Sequence, residues 1–106
     1  MNDGSMAPLA CVPGAIPAEE RAVHFVLAAE LFGAVEERLE ASDGYAFRSA
    51  SDRLERIARF VANERLCCPF LVFTITAGPG EAPVWLRLTG PEGTREFLEA
   101  ELRAAA

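Results

Sequence analysis

Two adjacent cysteines, Cys67 and Cys68, are the residues of this sequence best suited to chemistry. The chain has three cysteines, and the remaining one, Cys11, lies near its start. Thiolates favour soft and borderline metals such as Cu(I) and Zn(II), and by the same logic Hg(II) or As(III). The sequence therefore predicts a protein that binds a thiophilic metal or metalloid ion through Cys67 and Cys68. Cys11 is the candidate third sulfur if its segment lies beside the pair.

The spacing of the pair restricts this prediction. Side chains of neighbouring residues point in different directions on regular backbone, so a metal bound by both needs special local geometry. The chain has no CxxC pair, and an odd cysteine count in a reducing compartment argues against a disulfide framework. Two alternatives stay open: the cysteines are small buried apolar residues, or one of them is a redox or nucleophilic thiol.

Glu64 and His24 are the candidate proton acceptors. Helical spacing places Glu64 one turn before Cys68, on a face expected to be buried. A buried carboxylate needs a partner: an Arg from another element, backbone donors, a metal, or its own proton. In a metal site Glu64 would tune the site or accept a thiol proton, whereas in a thiol enzyme Glu64 or His24 would be the base. His24, the single histidine, either completes a four-ligand zinc set or is an ordinary core or surface histidine.

The composition narrows the class of protein. A length of 106 residues suits one domain, which we expect over residues 9–106 after a disordered N-terminus of residues 1–8. The net charge of -6 argues against a nucleic-acid partner. No apolar run approaches the roughly 20 residues of a membrane span, and the start lacks the features of a signal peptide. A cytoplasmic protein with no membrane partner is therefore expected.

Three helices are predicted from apolar periodicity. The first runs from about Pro17 to Phe32. The second ends no later than Cys68, because Pro69 disfavours helical geometry in the residue before it. The third opens near Thr89–Glu92. Their apolar stripes are Val23, Leu27 and Leu31; Leu54, Ile57, Ala58 and Val61; and Phe97, Leu98 and Leu102.

Two hairpins are predicted between these helices. Asp43-Gly44 separates residues 34–40 from residues 45–48 and is a strong hairpin signal, although the first helix could instead continue through Leu39. Residues 70–76 and 84–88 form the second hairpin across a loop rich in glycine and proline. The order α-ββ-α-ββ-α indicates an α+β fold, with helices on one face of an antiparallel sheet. Residues 9–12 are a candidate short strand before it.

The second hairpin carries large apolar residues on both of its sides. Helices can cover the side that holds Phe73 and Leu86. The opposite side holds the four residues Phe70, Val72, Trp85 and Arg87. Uncovered aromatic residues usually mark an interaction surface, and aromatic and Arg side chains are common anchors. We therefore expect a homodimer through this face, unless a helix or the N-terminal segment covers it. A non-enzymatic dimeric module is thus a third functional hypothesis.

Four motifs together resemble a family of small uncharacterised bacterial proteins. They are Cys11, Asp43-Gly-Tyr-Ala-Phe-Arg48, Glu64-Arg-Leu-Cys-Cys-Pro-Phe70 and Trp85-Leu-Arg-Leu-Thr-Gly-Pro-Glu-Gly93. The resemblance extends from about Leu9 to Leu102. It implies a shared domain with the three cysteines and Glu64 among its motif positions, and it does not choose between metal, redox and structural roles. The sequence otherwise contains no GxxxxGK, GxGxxG or GxSxG motif that would point to a known class of enzyme.

Overall fold

The computed structural model describes residues 9–105, so the predicted disordered residues 1–8 lie outside the described range. Two short 3-10 turns and seven longer elements follow one another along the chain. They are the turn Pro13–Ala15, α1 (Ala18–Gly33), β1 (Glu37–Ala41), β2 (Gly44–Ser49), the turn Ser51–Arg53, α2 (Leu54–Cys67), β3 (Val72–Ala77), β4 (Val84–Thr89) and α3 (Thr94–Ala105). The predicted α+β class and the order α-ββ-α-ββ-α are confirmed.

The sheet has the strand order β1-β2-β4-β3, and all of its neighbouring strands are antiparallel. Ala41 pairs with Gly44, so Ser42 and Asp43 form the turn of the first hairpin. This confirms the predicted hairpin and excludes a first helix that continues through Leu39. The candidate strand at residues 9–12 does not form, because this segment pairs with the end of a helix and not with a strand.

The helices begin and end close to the predicted positions. α1 starts directly after Pro17, and α2 ends at Cys67, as the position of Pro69 requires. α3 begins at Thr94, later than predicted, and the Thr94 hydroxyl donates a hydrogen bond to the Pro91 carbonyl oxygen at 2.6 Å. No helix among residues 9–105 is long and apolar enough to cross a membrane.

The buried face of α2 is rotated from the predicted stripe. The helix buries Ile57, Phe60, Asn63 and Cys67, whereas Leu54 is exposed. The physical reason is size, since Phe60 is the largest apolar side chain of this helix and gains most from leaving water. This rotation of α2 brings Cys67 into the core.

Aromatic rings join the helices to the sheet. The Phe32 ring of α1 packs edge-on against Phe47 of β2 at 5.1 Å and against Phe60 of α2 at 5.4 Å. The inner face of β4 supplies the buried residues Val84, Leu86 and Leu88. The described core is therefore one cluster between the sheet and the helices, with the outer face of the sheet left open.

Gly44 lies where the backbones of β2 and β4 approach each other closely. A Cβ at this position would overlap the Leu88 carbonyl oxygen, whereas a Cβ at Gly33, in α1, would meet nothing within 4 Å. We expect Gly44→Ala to lower the free energy of unfolding by about 2–3 kcal/mol. Gly33→Ala should leave it unchanged or raise it by up to about 1 kcal/mol, because alanine favours a helix. Urea denaturation of both variants checks this, and equal midpoints would contradict it.

Candidate functional site

The end of α2 brings the two neighbouring cysteines together. Cys67 is the last helical residue, and Cys68 leaves the helix with φ -115° and ψ 83°. The Cys68 amide still donates a hydrogen bond to the Glu64 carbonyl oxygen at 2.7 Å, so the departure begins at Cys68 itself. Pro69 explains it, because a residue before proline avoids helical geometry. This is the special local geometry that a shared site requires of adjacent cysteines.

The segment before α1 places Cys11 beside this helix end. The Val12 amide donates a hydrogen bond to the Cys67 carbonyl oxygen at 2.7 Å, which also satisfies one of the free carbonyls at the helix terminus. Ile16 then buries its side chain completely, and the Arg21 guanidinium of α1 donates to the Ile16 carbonyl oxygen at 3.0 Å. The segment is thus fixed both to α2 and to α1.

The three cysteine sulfurs form one cluster. All three Sγ atoms lie within 4.8 Å of one another, and Cys67 and Cys68 are buried. The condition set for Cys11 as a third sulfur, that its segment lies beside the pair, is met. The odd number of cysteines argued against a disulfide framework, and this expectation is wrong for one pair. Cys11 and Cys68 have Cα atoms 4.5 Å apart and sulfurs at disulfide-bonding distance, and Cys67 is left as the free cysteine.

The partner of Glu64 is His24 of α1 and not an arginine. His24 Nε2 lies 2.7 Å from Glu64 Oε1, with the His24 side chain 2% and the Glu64 side chain 20% exposed. His24 also stacks on Phe60 with ring centres 5.3 Å apart. Because an ionised carboxylate only accepts hydrogen bonds, Nε2 is the donor in this pair, whereas the buried Nδ1 has no partner among the described residues.

Glu64 links this histidine to the sulfur cluster. Its second oxygen, Oε2, lies 3.4 Å from Cys68 Sγ. With Cys68 reduced, its thiol donates a hydrogen bond to this oxygen, so Glu64 is the nearest acceptor for a proton released there. His24 itself does not belong to the group of possible metal ligands, which among the described residues consists of the three cysteines. Of the two alternatives for His24, a zinc ligand and an ordinary core or surface histidine, its burial and its contact with Glu64 agree with a core histidine.

The free cysteine is a poor nucleophile at neutral pH. Burial raises the pKa of the Cys67 thiol, and the carboxylates of Glu64 and Glu101 raise it further. A hydrogen bond from the Val12 backbone acts in the opposite direction but does not reverse the shift. Cys67 therefore stays protonated at pH 7 unless a bound cation displaces its proton.

A cavity of about 330 Å³ opens next to the cysteines, among α1, α2, α3 and the inner face of the sheet. Most of its wall is apolar and rich in phenylalanine. Its lining residues include Phe25, Phe32, Phe47, Phe60, Phe97, Ala28, Leu98 and Leu102, together with Cys11, Cys67, His24, Glu64 and Glu101. Among the residues that the structure describes, no arginine lines the cavity, and Cys68 is not part of its lining. Sequence analysis missed this cavity, because the same phenylalanines are also the ordinary signature of a filled core.

The predicted interface residues do not all share one surface. Val72, Trp85 and Arg87 lie on the outer face of the sheet, where Val72 is 59% exposed, Arg87 is exposed and Trp85 is half-buried. Phe70 differs because β3 begins only at Val72, so the strand alternation does not reach it. Its ring packs edge-on against Phe97 of α3 at 5.0 Å, on the core side.

Comparisons with protein-family models, curated proteins and solved structures found no match for this chain. Function is therefore inferred from three local features: the sulfur cluster, the His24–Glu64 pair beside it and the apolar cavity.

The link between Cys11 and Cys68 should stabilise the oxidised protein. It closes a loop over a sequence separation of 57 residues. Such a loop contributes about 4 kcal/mol to the free energy of unfolding on the chain-entropy estimate. Cys11→Ser should lose this contribution in urea denaturation without reductant, and a reductant should bring the wild type close to the variant. Cys67→Ser is the control, because it keeps the link. A Cys11→Ser variant as stable as the oxidised wild type would contradict the assignment.

The raised pKa of Cys67 predicts slow alkylation. In a variant that carries Cys11→Ser and Cys68→Ser, Cys67 is the only thiol, so iodoacetamide reports on it alone. Because the thiolate is the reacting form, the rate should reach half of its plateau at a higher pH in the folded variant than in the same variant unfolded in urea. Mass spectrometry of quenched samples measures both profiles. Coincident profiles would show that the fold leaves this thiol unperturbed.

Proposed function

We propose that the reduced protein binds a thiophilic metal or metalloid ion through Cys11, Cys67 and Cys68. The observation that carries this proposal is the proximity of the three sulfurs, all within 4.8 Å of one another. A metal with bonds of about 2.3 Å to sulfur in tetrahedral directions needs sulfurs about 3.8 Å apart. The cluster reaches such a spacing by small side-chain movements once Cys11 and Cys68 are thiols.

The ligand set favours a soft ion that accepts three sulfurs. Among the described residues the group of candidate ligands offers sulfur only, which suits As(III) or Hg(II) better than a hard cation. Trivalent arsenic forms three bonds, so three thiolates give a neutral complex. Neutrality is favourable at Cys67 and Cys68, which are buried, because an uncompensated charge there would be strongly disfavoured.

Each thiol gives up its proton when it bonds to arsenic, and Glu64 lies within reach to relay the Cys68 proton to a departing hydroxyl. Its Oε2 lies 3.4 Å from Cys68 Sγ, while His24 holds the other carboxylate oxygen. From arsenous acid the exchange is balanced without a redox step: three As–O bonds and three S–H bonds break, three As–S bonds form, and three waters leave. This proposal includes a reducing compartment such as the cytoplasm, where Cys11 and Cys68 exist as thiols.

A second candidate is a thiol–disulfide redox function, favoured by the bonding distance between Cys11 and Cys68. In this function the two sulfurs would cycle between dithiol and disulfide as an external dithiol is oxidised or its disulfide reduced. The buried Cys67 would then have no direct role. Equilibration with dithiothreitol buffers gives the reduction potential that decides how readily the pair cycles.

Native mass spectrometry of the reduced protein tests the proposed function. With arsenite we expect one adduct per chain, heavier by one arsenic and lighter by three hydrogens, because each thiol gives up its proton. Cys11→Ser, Cys67→Ser and Cys68→Ser should each abolish this species, since each removes one of the three As–S bonds. Zn(II) and Hg(II) in parallel titrations show which ion the site prefers.

Wild-type protein with all three thiols alkylated is the control for binding elsewhere on the chain. No adduct on the reduced wild type with any of the three ions would overturn the proposed function. An arsenite adduct that survives in all three serine variants would do so as well.

A further inference from the structure

The cavity beside the cysteines points to the class of ligand. We infer that the site takes a monoorganoarsenic(III) compound, with arsenic on the cysteines and its apolar substituent in the phenylalanine-lined cavity. This inference rests on the proposed function and names a substrate class for the same site. A bare ion held by three thiolates would leave the cavity without a role, whereas an ion that carries one apolar group would use it.

The volume and wall of the cavity suit a small apolar group. It measures about 330 Å³, within the range of pockets that bind small molecules. Phe32, Phe47 and Phe60 line it, and Phe32 already packs edge-on against the other two rings, so a phenyl group can make the same kind of contact. Cavities lined by apolar side chains stay dry and take up ligands such as benzene. Phe25 is half-exposed, which places a mouth at α1.

The positions of the sulfurs match the valence of such a compound. Cys11 and Cys67 line the cavity, and Cys68 lies outside its wall. A monoorganoarsenic(III) centre has one bond to carbon and two bonds for sulfur. Cys11 and Cys67 can supply these two bonds with the carbon directed into the cavity. Inorganic As(III), by contrast, needs Cys68 as its third sulfur.

The binding step balances without any redox change in arsenic. For phenylarsine oxide, the As–O linkage and two S–H bonds break, two As–S bonds form, and one water leaves. The Cys11–Cys68 link must first be opened by a dithiol reductant, which leaves as its own disulfide while both cysteines gain a proton.

The charge of the wall is consistent with this class. Both the arsenic compound and its dithiolate product are neutral, so neither places a new charge in an apolar cavity. The acidic side chains among the described lining residues are Glu64, which His24 contacts, and Glu101, and no arginine is among these lining residues. Pentavalent arsonates, which are anions, would be repelled by these carboxylates. The cavity thus discriminates by charge as well as by shape.

Variants that fill the cavity with a larger side chain test this inference separately from the proposed function. Ala28 lines the cavity, whereas Ala22 lies on the same helix, is exposed and does not line it. Ala28→Leu should weaken phenylarsine oxide binding by about tenfold or more, because the added atoms occupy the space of the ring. Its arsenite affinity should stay within about twofold of wild type, since the sulfurs are untouched. Ala22→Leu is the matched control and should change neither affinity.

Isothermal titration calorimetry of the reduced proteins gives both affinities, and circular dichroism confirms that each variant is folded. Ala29→Leu, at an exposed position of the lining, serves as a second test if Ala28→Leu does not fold. Cys68→Ser is an independent test: this variant should no longer bind arsenite, but it should still bind phenylarsine oxide.

The two proposals fail in different ways. If arsenite binds but the leucine variants bind phenylarsine oxide as wild type does, the cavity does not hold the substituent, and the inference is overturned while the proposed function stands. If the reduced wild type binds neither compound, both are overturned.

Discussion

The geometry of the site depends on the backbone at Cys68. A helix that continued through this residue would direct the neighbouring sulfurs to different sides, and no single atom could bind both. Pro69 prevents this, and Cys68 adopts a non-helical conformation while its amide still closes the last hydrogen bond of α2. The Cys67 carbonyl oxygen, which has no partner within the helix, then accepts a hydrogen bond from the Val12 amide, and this bond brings Cys11 to the cluster. One proline thus arranges three sulfurs from two distant segments.

The second constraint is the half-buried carboxylate of Glu64. Its Oε2 lies 3.4 Å from Cys68 Sγ, and the carboxylate cannot be left unpaired there without a large loss of stability. His24 meets this need through a 2.7 Å hydrogen bond and is held by its own stacking on Phe60. The pair therefore fixes α1 against α2 beside the sulfurs. Burial raises the pKa of the Cys67 thiol, and the Glu64 carboxylate raises it further, so this cysteine stays protonated until a cation competes for the sulfur.

The fold could be predicted from the sequence because its signals are local. Asp43-Gly44, Pro69 and the alternation of residues 84–88 each act within a few residues, and the order of elements follows from them. For the site, the sequence predicted which residues take part but not how they contact one another. Helical spacing predicted that Glu64 lies on a buried face, but no local sequence pattern indicates that its partner is His24, 40 residues earlier. The link from Cys11 to Cys68 and the rotation of α2 by Phe60 are likewise tertiary effects, in which packing decides between faces of similar hydrophobicity.

The shared use of Cys11 and Cys68 makes oxidation and ligand binding mutually exclusive. A sulfur in a disulfide cannot bind arsenic or mercury, so a ligand that binds the dithiol stabilises it by an amount that grows with the logarithm of its concentration. For this two-electron couple, each tenfold increase in the free ligand above its Kd raises the apparent reduction potential by about 30 mV. The proposed metal-binding function and the alternative redox function would therefore depend on the same equilibrium between the dithiol and the disulfide. The redox poise of the compartment and the affinity of the ligand together decide which form of the cluster is populated.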